Sequence, residues 1–215
     1  VPSQANGIKS SPVVGNMSGG ILFVGDYPLS EKYTVNLSKP WERQVAGPSI
    51  IEDGNRPLQS PRFKELWDAF REIGMDASDV FDQFAFVNAV PWKTSGTALD
   101  TKTAAAGQPF LADVIAKYKP KVIVPVGIVA TWGVIGPRLS GRISNVNADD
   151  FFGKTIPDRY YNAWICPTWG CPYMQAMRRK AEEDNAYYKQ RLAHIEKALE
   201  LVNKPFPEIP NDLRT

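Results

Sequence analysis

Four short apolar runs punctuate the chain, and each stops at a polar or glycine-containing loop. The first is Ile21–Val24 within GILFVGDYP, ended by Gly25 and Pro28; the second is FAFVNAVPW, residues 84–92, which turns to loop at Asn88. PKVIVPVG, residues 120–127, is the third, and NAWICP supplies the last at about 163–166. Runs this short, apolar without alternation, predict strands covered on both faces of a parallel sheet. Between them the period changes to that of a helix. SPRFKELWDAFREIGM has Ser60 as N-cap, Pro61 at the first helical position and Gly74 as terminator. Phe63, Leu66, Trp67, Phe70 and Ile73 share one face of it. A second helix spans Thr103–Tyr118, with Phe110, Leu111, Val114 and Ile115. IVATWGVIG is a short third, and a long charged helix runs from Tyr173 to about Asn203. Residues 29–59 and 137–161 show no sustained period, and a loop as long as the first is usually functional or mobile.

Strands alternating with helices predict an α/β fold, a three-layer αβα sandwich around a central, mainly parallel four-stranded sheet. The expected organisation is a loose Ser/Gly/Pro-rich lead-in over 1–19, one domain over 20–203, and a Pro-rich tail over 204–215. In such sheets ligands bind beyond the carboxyl ends of the strands. Asp26, Asn88 and the Thr168–Cys171 stretch follow three separate strands, so their chemistry is expected at one edge.

Composition narrows the function without naming it. The 215 residues are 43% hydrophobic and 22% charged, as in an ordinary globular domain. Lys+Arg less Asp+Glu is 25 − 23 = +2, which neither requires nor excludes nucleic acid. No apolar run approaches the roughly 20 residues of a membrane span, so no membrane partner is expected. The opening VPSQANGIKS lacks the build of a signal peptide, and two cysteines, Cys166 and Cys171, suit reduced cytoplasmic thiols. A monomer is expected. The lone histidine, His194, lies among Arg191, Glu196 and Lys197 and reads as a surface residue. No Gly-x₄-Gly-Lys-Ser/Thr loop exists, which disfavours a phosphate-handling enzyme.

Five segments, taken in order, resemble the uracil-DNA glycosylase superfamily, most of all the family-4 branch that normally carries an iron–sulfur cluster. ILFVGDYP resembles its strand plus Gly-Glu-Ala-Pro motif, with Asp26 in the acidic position. RPLQSPRFKELWDAFREIGM is similar to its pocket segment and following helix. FVNAVPW resembles the strand that ends in the base-reading Asn, here Asn88. AGQPFLADVIAKYKPKVIVPVGIVATWGVIG is similar to the next helix–strand–helix, and ICPTWGCPYM to a Pro-Thr-aromatic-His-Pro loop. The likeness covers about residues 20–180.

The departures are specific. The branch's two later cluster cysteines fall on Trp92 and Gly107, and no cysteine precedes residue 166. Two thiols cannot hold a four-thiolate cluster, so no cofactor or metal is expected. The aromatic that stacks on uracil falls on Leu58, and the motif His falls on Gly170 or, with one insertion, Cys171. Base stacking is worth about 1–3 kcal/mol and an oxyanion-type donor about 10²–10³ in rate. Both losses imply a pocket not shaped for plain uracil. On these departures the chain is similar to a bacterial antiphage member of the superfamily that removes glucosylated hydroxymethylcytosine from phage DNA.

What the resemblance implies is a monofunctional DNA glycosylase that flips out a pyrimidine. Asp26 would position water and stabilise an oxocarbenium-like sugar; its structural alternative is a strand-end cap. Asn88 would read the base edge; its alternative is capping its own loop. Tyr27, Pro28, Leu58, Thr168, Trp169, Gly170 and Cys171 would line the base pocket, with backbone amides of 168–171, Thr168 or Trp169 standing in for the lost His. Tyr173, Met174, Arg178, Arg179 and Lys180 would meet DNA, or form a solvated helix start. Arg138 and Arg142 are weaker phosphate candidates. The loop 29–59, with Lys39, Trp41, Glu42, Arg43, Asn55 and Arg56, would contact a base-borne sugar or simply cover the core. Two rivals stand beside this reading: plain uracil repair, and a catalytically weak nucleic-acid-binding module of the same fold.

Overall fold

The structure, a computed structural model, describes residues 9–10, 13–16, 18, 20–26, 35–36, 66, 69–75, 77–91, 101–138, 146–170 and 186–207. Its strands are β1 (Lys9–Ser10), β2 (Val14–Gly15), β3 (Ile21–Gly25), β4 (Val35–Asn36), β5 (Phe84–Asn88), β6 (Val122–Pro125), β7 (Ile156–Asp158) and β8 (Ala163–Ile165). The helices are α1 (Ala77–Gln83), α2 (Thr101–Tyr118), α3 (Ile128–Ile135), α4 (Ala148–Phe151) and α5 (Ala186–Leu201). A further helical turn runs through residues 69–72.

The main sheet has six strands in the order β2-β5-β3-β6-β8-β7, and β1 pairs with β4 apart from it. The four apolar runs form its parallel centre, β5-β3-β6-β8. Two antiparallel edge strands correct the expected count of four: β2 pairs with β5, and β7 with β8. Val14–Gly15 therefore belongs to the sheet, not to a loose lead-in, and Val13 is buried. Residues 137–161, expected to be irregular, contain α4 and β7, and α1 occupies a stretch where no element was expected.

Alternate side chains of each central strand enter different layers, as the period of two demands. Ile21, Phe23, Phe84, Phe86, Val122 and Val124 face the layer built from Leu66, Phe70, Val80 and α5. Leu22, Val24, Ala85, Val87 and Ile123 face α2 and α3. The first layer is the aromatic one: Phe23 packs edge-on to Phe70 and stacks on Phe86, each at 5.3 Å, and Phe70 stacks on Phe84 at 5.3 Å. Gly74 ends the helix before it as expected. With φ +83°, its N–H donates to the Arg71 carbonyl and that of Met75 to the Phe70 carbonyl, a Schellman closure.

Chain order makes the central strand pair special. After β3 the chain moves to β5 through the aromatic layer; after β6 it moves the opposite way, to β8, starting through α3 in the other layer. Where connections diverge like this, α/β folds typically carry their ligand crevice beyond the carboxyl ends of the two strands. Here those strands are β3 and β6, followed by Asp26 and Gly127. Among the described residues no helix is long and apolar enough to cross a membrane.

Candidate functional site at the sheet's carboxyl edge

The carboxyl ends of the parallel strands bring Asp26, Asn88, Gly127 and Thr168 to one edge. Gly25 pairs in register with Asn88, and the Val90 N–H donates to the Asp26 carbonyl at 2.9 Å. On the other side, Val126 bridges to Thr168 and the Gly127 N–H donates to the Thr168 carbonyl at 2.9 Å.

Asp26 is fixed by a helix that cannot cap itself. The N-cap of α3 is Gly127, which has no side-chain acceptor, and Asp26 Oδ1 accepts from the Ala130 N–H at 3.1 Å instead. The carboxylate thus stands at the positive end of a helix dipole, where negative charge is stabilised. Gly127 makes the fit possible: at φ +104° it adopts a conformation that L side chains rarely take, and a Cβ there would lie 3.1 Å from Asp26 Oδ1.

Asn88 is half-buried, with its amide oxygen over Gly25, where a Cβ would come within 2.7 Å. The segment after it is held by two helix glycines. A Cβ on Gly107 of α2 would meet the Ala89 carbonyl oxygen at 2.4 Å, and one on Gly133 of α3 would meet the Ala89 Cβ at 2.9 Å. Small residues at both helix positions let the backbone approach and set the strand end that carries Asn88. A cysteine at position 107, where the resemblance places one cluster thiol, would put its Cβ 2.4 Å from the Ala89 carbonyl oxygen, so this position as folded does not fit an iron–sulfur ligand.

Position 170 is equally closed to an imidazole. A Cβ on Gly170 would lie 3.0 Å from the Gly127 Cα, so two glycine backbones pack directly at one of the two positions where the resemblance places the motif His; the other, Cys171, lies outside the described residues. Thr168 and Trp169, expected as pocket side chains, turn inward to α5 instead. Thr168 is fully buried, with Oγ1 3.1 Å from His194 Nδ1. The Trp169 indole N–H donates to Gln190 Oε1 at 2.9 Å, and its ring meets Phe152 edge-on at 4.8 Å.

His194 is thereby corrected from a surface residue to a partly buried one joined to the site's last turn. Burial holds its imidazole below the usual histidine range. A Cβ on Gly153, at φ +78°, would lie 2.5 Å from its Nε2, so the ring sits between Thr168 and a glycine. Arg138 also departs from its expected role. Its guanidinium forms a bidentate ion pair with Asp158 and lies 5.1 Å from the rings of both Tyr160 and Tyr161, which occupies it structurally. Cys166 is a buried free thiol within the aromatic layer.

Several expected site residues lie outside the described residues: Tyr27, Pro28, Leu58, Cys171, Tyr173, Met174, Arg178, Arg179, Lys180, Arg142 and the loop 29–59. Three participants went unmarked in the sequence, namely Gly127, Ala130 and Gly153, and a fourth, His194, reads there as a surface residue. The glycine between strand and helix in PVGIVA was a visible signal for the first. Among the described residues no group of three or more His, Cys, Asp or Glu is placed to hold a metal ion. Compared with protein-family models and with curated proteins, the chain finds no match.

Proposed function

We propose that the chain is a monofunctional DNA glycosylase that hydrolyses the N-glycosidic bond of a flipped-out pyrimidine, with a modified base, such as glucosylated hydroxymethylcytosine, preferred over uracil. The observation that carries this reading is the anchored carboxylate of Asp26 at the β3/β6 crevice, one strand away from the Asn88 amide. Glycosidic cleavage needs a fixed anion beside a sugar that becomes cationic, together with a group that reads the base edge.

In the proposed reaction the C1′–N bond breaks and its electron pair leaves with the base. Asp26 stabilises the cationic sugar and orients water. The water oxygen bonds to C1′, and its proton passes through the carboxylate towards the departing base. Asn88 offers both an amide donor and a carbonyl acceptor to a pyrimidine edge. With Thr168 and Trp169 turned to α5, stabilising the base anion falls to backbone at Gly170 and to the residues that follow it in the chain. Leu58 stands where the resemblance implies a stacking aromatic, and that smaller side chain supports the modified base.

The test is abasic-site formation on matched DNAs containing uracil, 5-hydroxymethyluracil, 5-hydroxymethylcytosine or glucosylated hydroxymethylcytosine. Cleavage confined to bulky modified bases is expected. Cleavage of uracil alone would replace the modified base with repair. Tight binding with no abasic product from any DNA would favour the non-catalytic module.

A further inference from the structure

We infer that His194 is a positioning residue for this site: by bonding Thr168 it holds the turn after β8 against Gly127, and so sets where the Asp26 carboxylate stands. A continuous line of contacts joins the two ends. His194 Nδ1 lies 3.1 Å from Thr168 Oγ1, and the Thr168 carbonyl accepts from the Gly127 N–H at 2.9 Å. Gly127 opens α3, whose Ala130 N–H holds Asp26 Oδ1 at 3.1 Å. The Thr168 N–H donates to the Pro125 carbonyl at 2.9 Å, so the backbone of this one residue is bonded on both sides to the end of β6.

Each link has little slack. Thr168 has no exposed surface, and Gly127 and Gly170 pack backbone to backbone. The imidazole is held from behind by Gly153, whose N–H donates to the Pro167 carbonyl at 3.0 Å, one residue before Thr168. The histidine therefore ties three segments together: α5, the turn at Gly153 and the end of β8. A threonine hydroxyl beside a histidine nitrogen also fixes the ring's orientation, because the bond is directional. Packing alone would be served by any side chain of similar volume; positioning requires the nitrogen at the Nδ1 place.

The kinetic side of this inference rests on the glycosylase reading, whereas its structural side does not. The experiment uses full-length His194→Leu, His194→Asn, Thr168→Val and His194→Leu/Thr168→Val. Asn keeps a polar atom near the Nδ1 place, and Val keeps the volume of Thr. On whichever DNA the wild type cleaves, His194→Leu and Thr168→Val should each lower the single-turnover rate about tenfold, with DNA affinity unchanged. The double variant should be no slower than either single one, and His194→Asn should recover most of the rate. Equal rates in all variants, or additive losses, would overturn the inference. Amide exchange at Gly127, Thr168 and Ala130 is read in parallel. It should quicken about tenfold in His194→Leu and in Thr168→Val. Should the wild type cleave no DNA, the glycosylase reading falls, and exchange alone decides: quickening upholds the positioning role, and unchanged exchange ends it.

Discussion

Asp26 caps a helix to which it does not belong. Its Oδ1 accepts from the Ala130 N–H, the third residue of α3, because the N-cap Gly127 has no side chain to do so. The contact gives the carboxylate a structural use, as a cap at the sheet's carboxyl edge, beside the catalytic use proposed for it. The two are separable, since an amide oxygen accepts the same hydrogen bond but carries no charge.

Gly127→Ala should damage the site more than the fold. The new Cβ would stand 3.1 Å from Asp26 Oδ1 and 3.4 Å from the Gly170 Cα, in a backbone conformation at φ +104°. Strain of this kind costs about 1–3 kcal/mol. Gly74→Ala is the control: it has φ +83° but nothing within 4 Å of its Cβ. Thermal denaturation should show both variants destabilised, and only Gly127→Ala should lose DNA cleavage.

Gly107→Cys should destabilise the protein without creating a metal centre. With the Ala89 carbonyl oxygen 2.4 Å from the new Cβ, either α2 or the segment after Asn88 must shift. Overpacking of this sort costs about 1–3 kcal/mol. Denaturant unfolding gives the loss, and absorbance after reconstitution with iron and sulfide should show no cluster.

Phe70→Ala should remove much of the net stability. Phe70 is fully buried between Phe23, Phe84 and Phe86, and Phe→Ala in such places costs about 3–5 kcal/mol. The midpoint of urea unfolding should fall accordingly.

Stability should change with pH at both ends. Burial holds His194 below its usual range, so between that lowered value and about 6.5 the unfolded chain binds the proton and the folded one does not. Stability should therefore fall as pH drops through this window, and His194→Asn should flatten that limb. At the alkaline end burial pushes Cys166 up to about 11, against the Thr155 hydrogen bond and Lys197, which lower it; burial likewise pushes Tyr161 up to about 12. Both unfolded groups ionise first, so stability should decline from about pH 9 upward. Chemical denaturation from pH 5 to 10.5 checks both limbs.

The parallel centre of the sheet was legible because its strands are buried on both faces and so read as unbroken apolar runs. The edge strands were not. Val14–Gly15 is two residues long, and Ile156–Asp158 contains Pro157, a residue that period arguments exclude from strands but that an edge tolerates. At the site, polar residues after apolar runs were enough to bring Asp26 and Asn88 to one edge. His194 was illegible, since its partner Thr168 lies 26 residues away and its neighbours are charged. Arg191, in the same charged stretch, is wholly buried, which shows how poorly local polarity reports the inner face of α5. Likewise a glycine is visible in a sequence, whereas the backbone it meets, Gly170 against Gly127, is a matter of tertiary structure.

The most direct measurement is release of free base from the DNA that wild type cleaves, under single turnover, compared with Asp26→Asn. The amide retains the acceptor for the Ala130 N–H and removes the charge, so the fold should persist with at most about 1 kcal/mol of stability lost at the helix N-terminus. DNA affinity should be unchanged while the rate falls about 10²-fold or more. Wild-type release at the same rate in Asp26→Asn would contradict a catalytic carboxylate at the β3/β6 crevice.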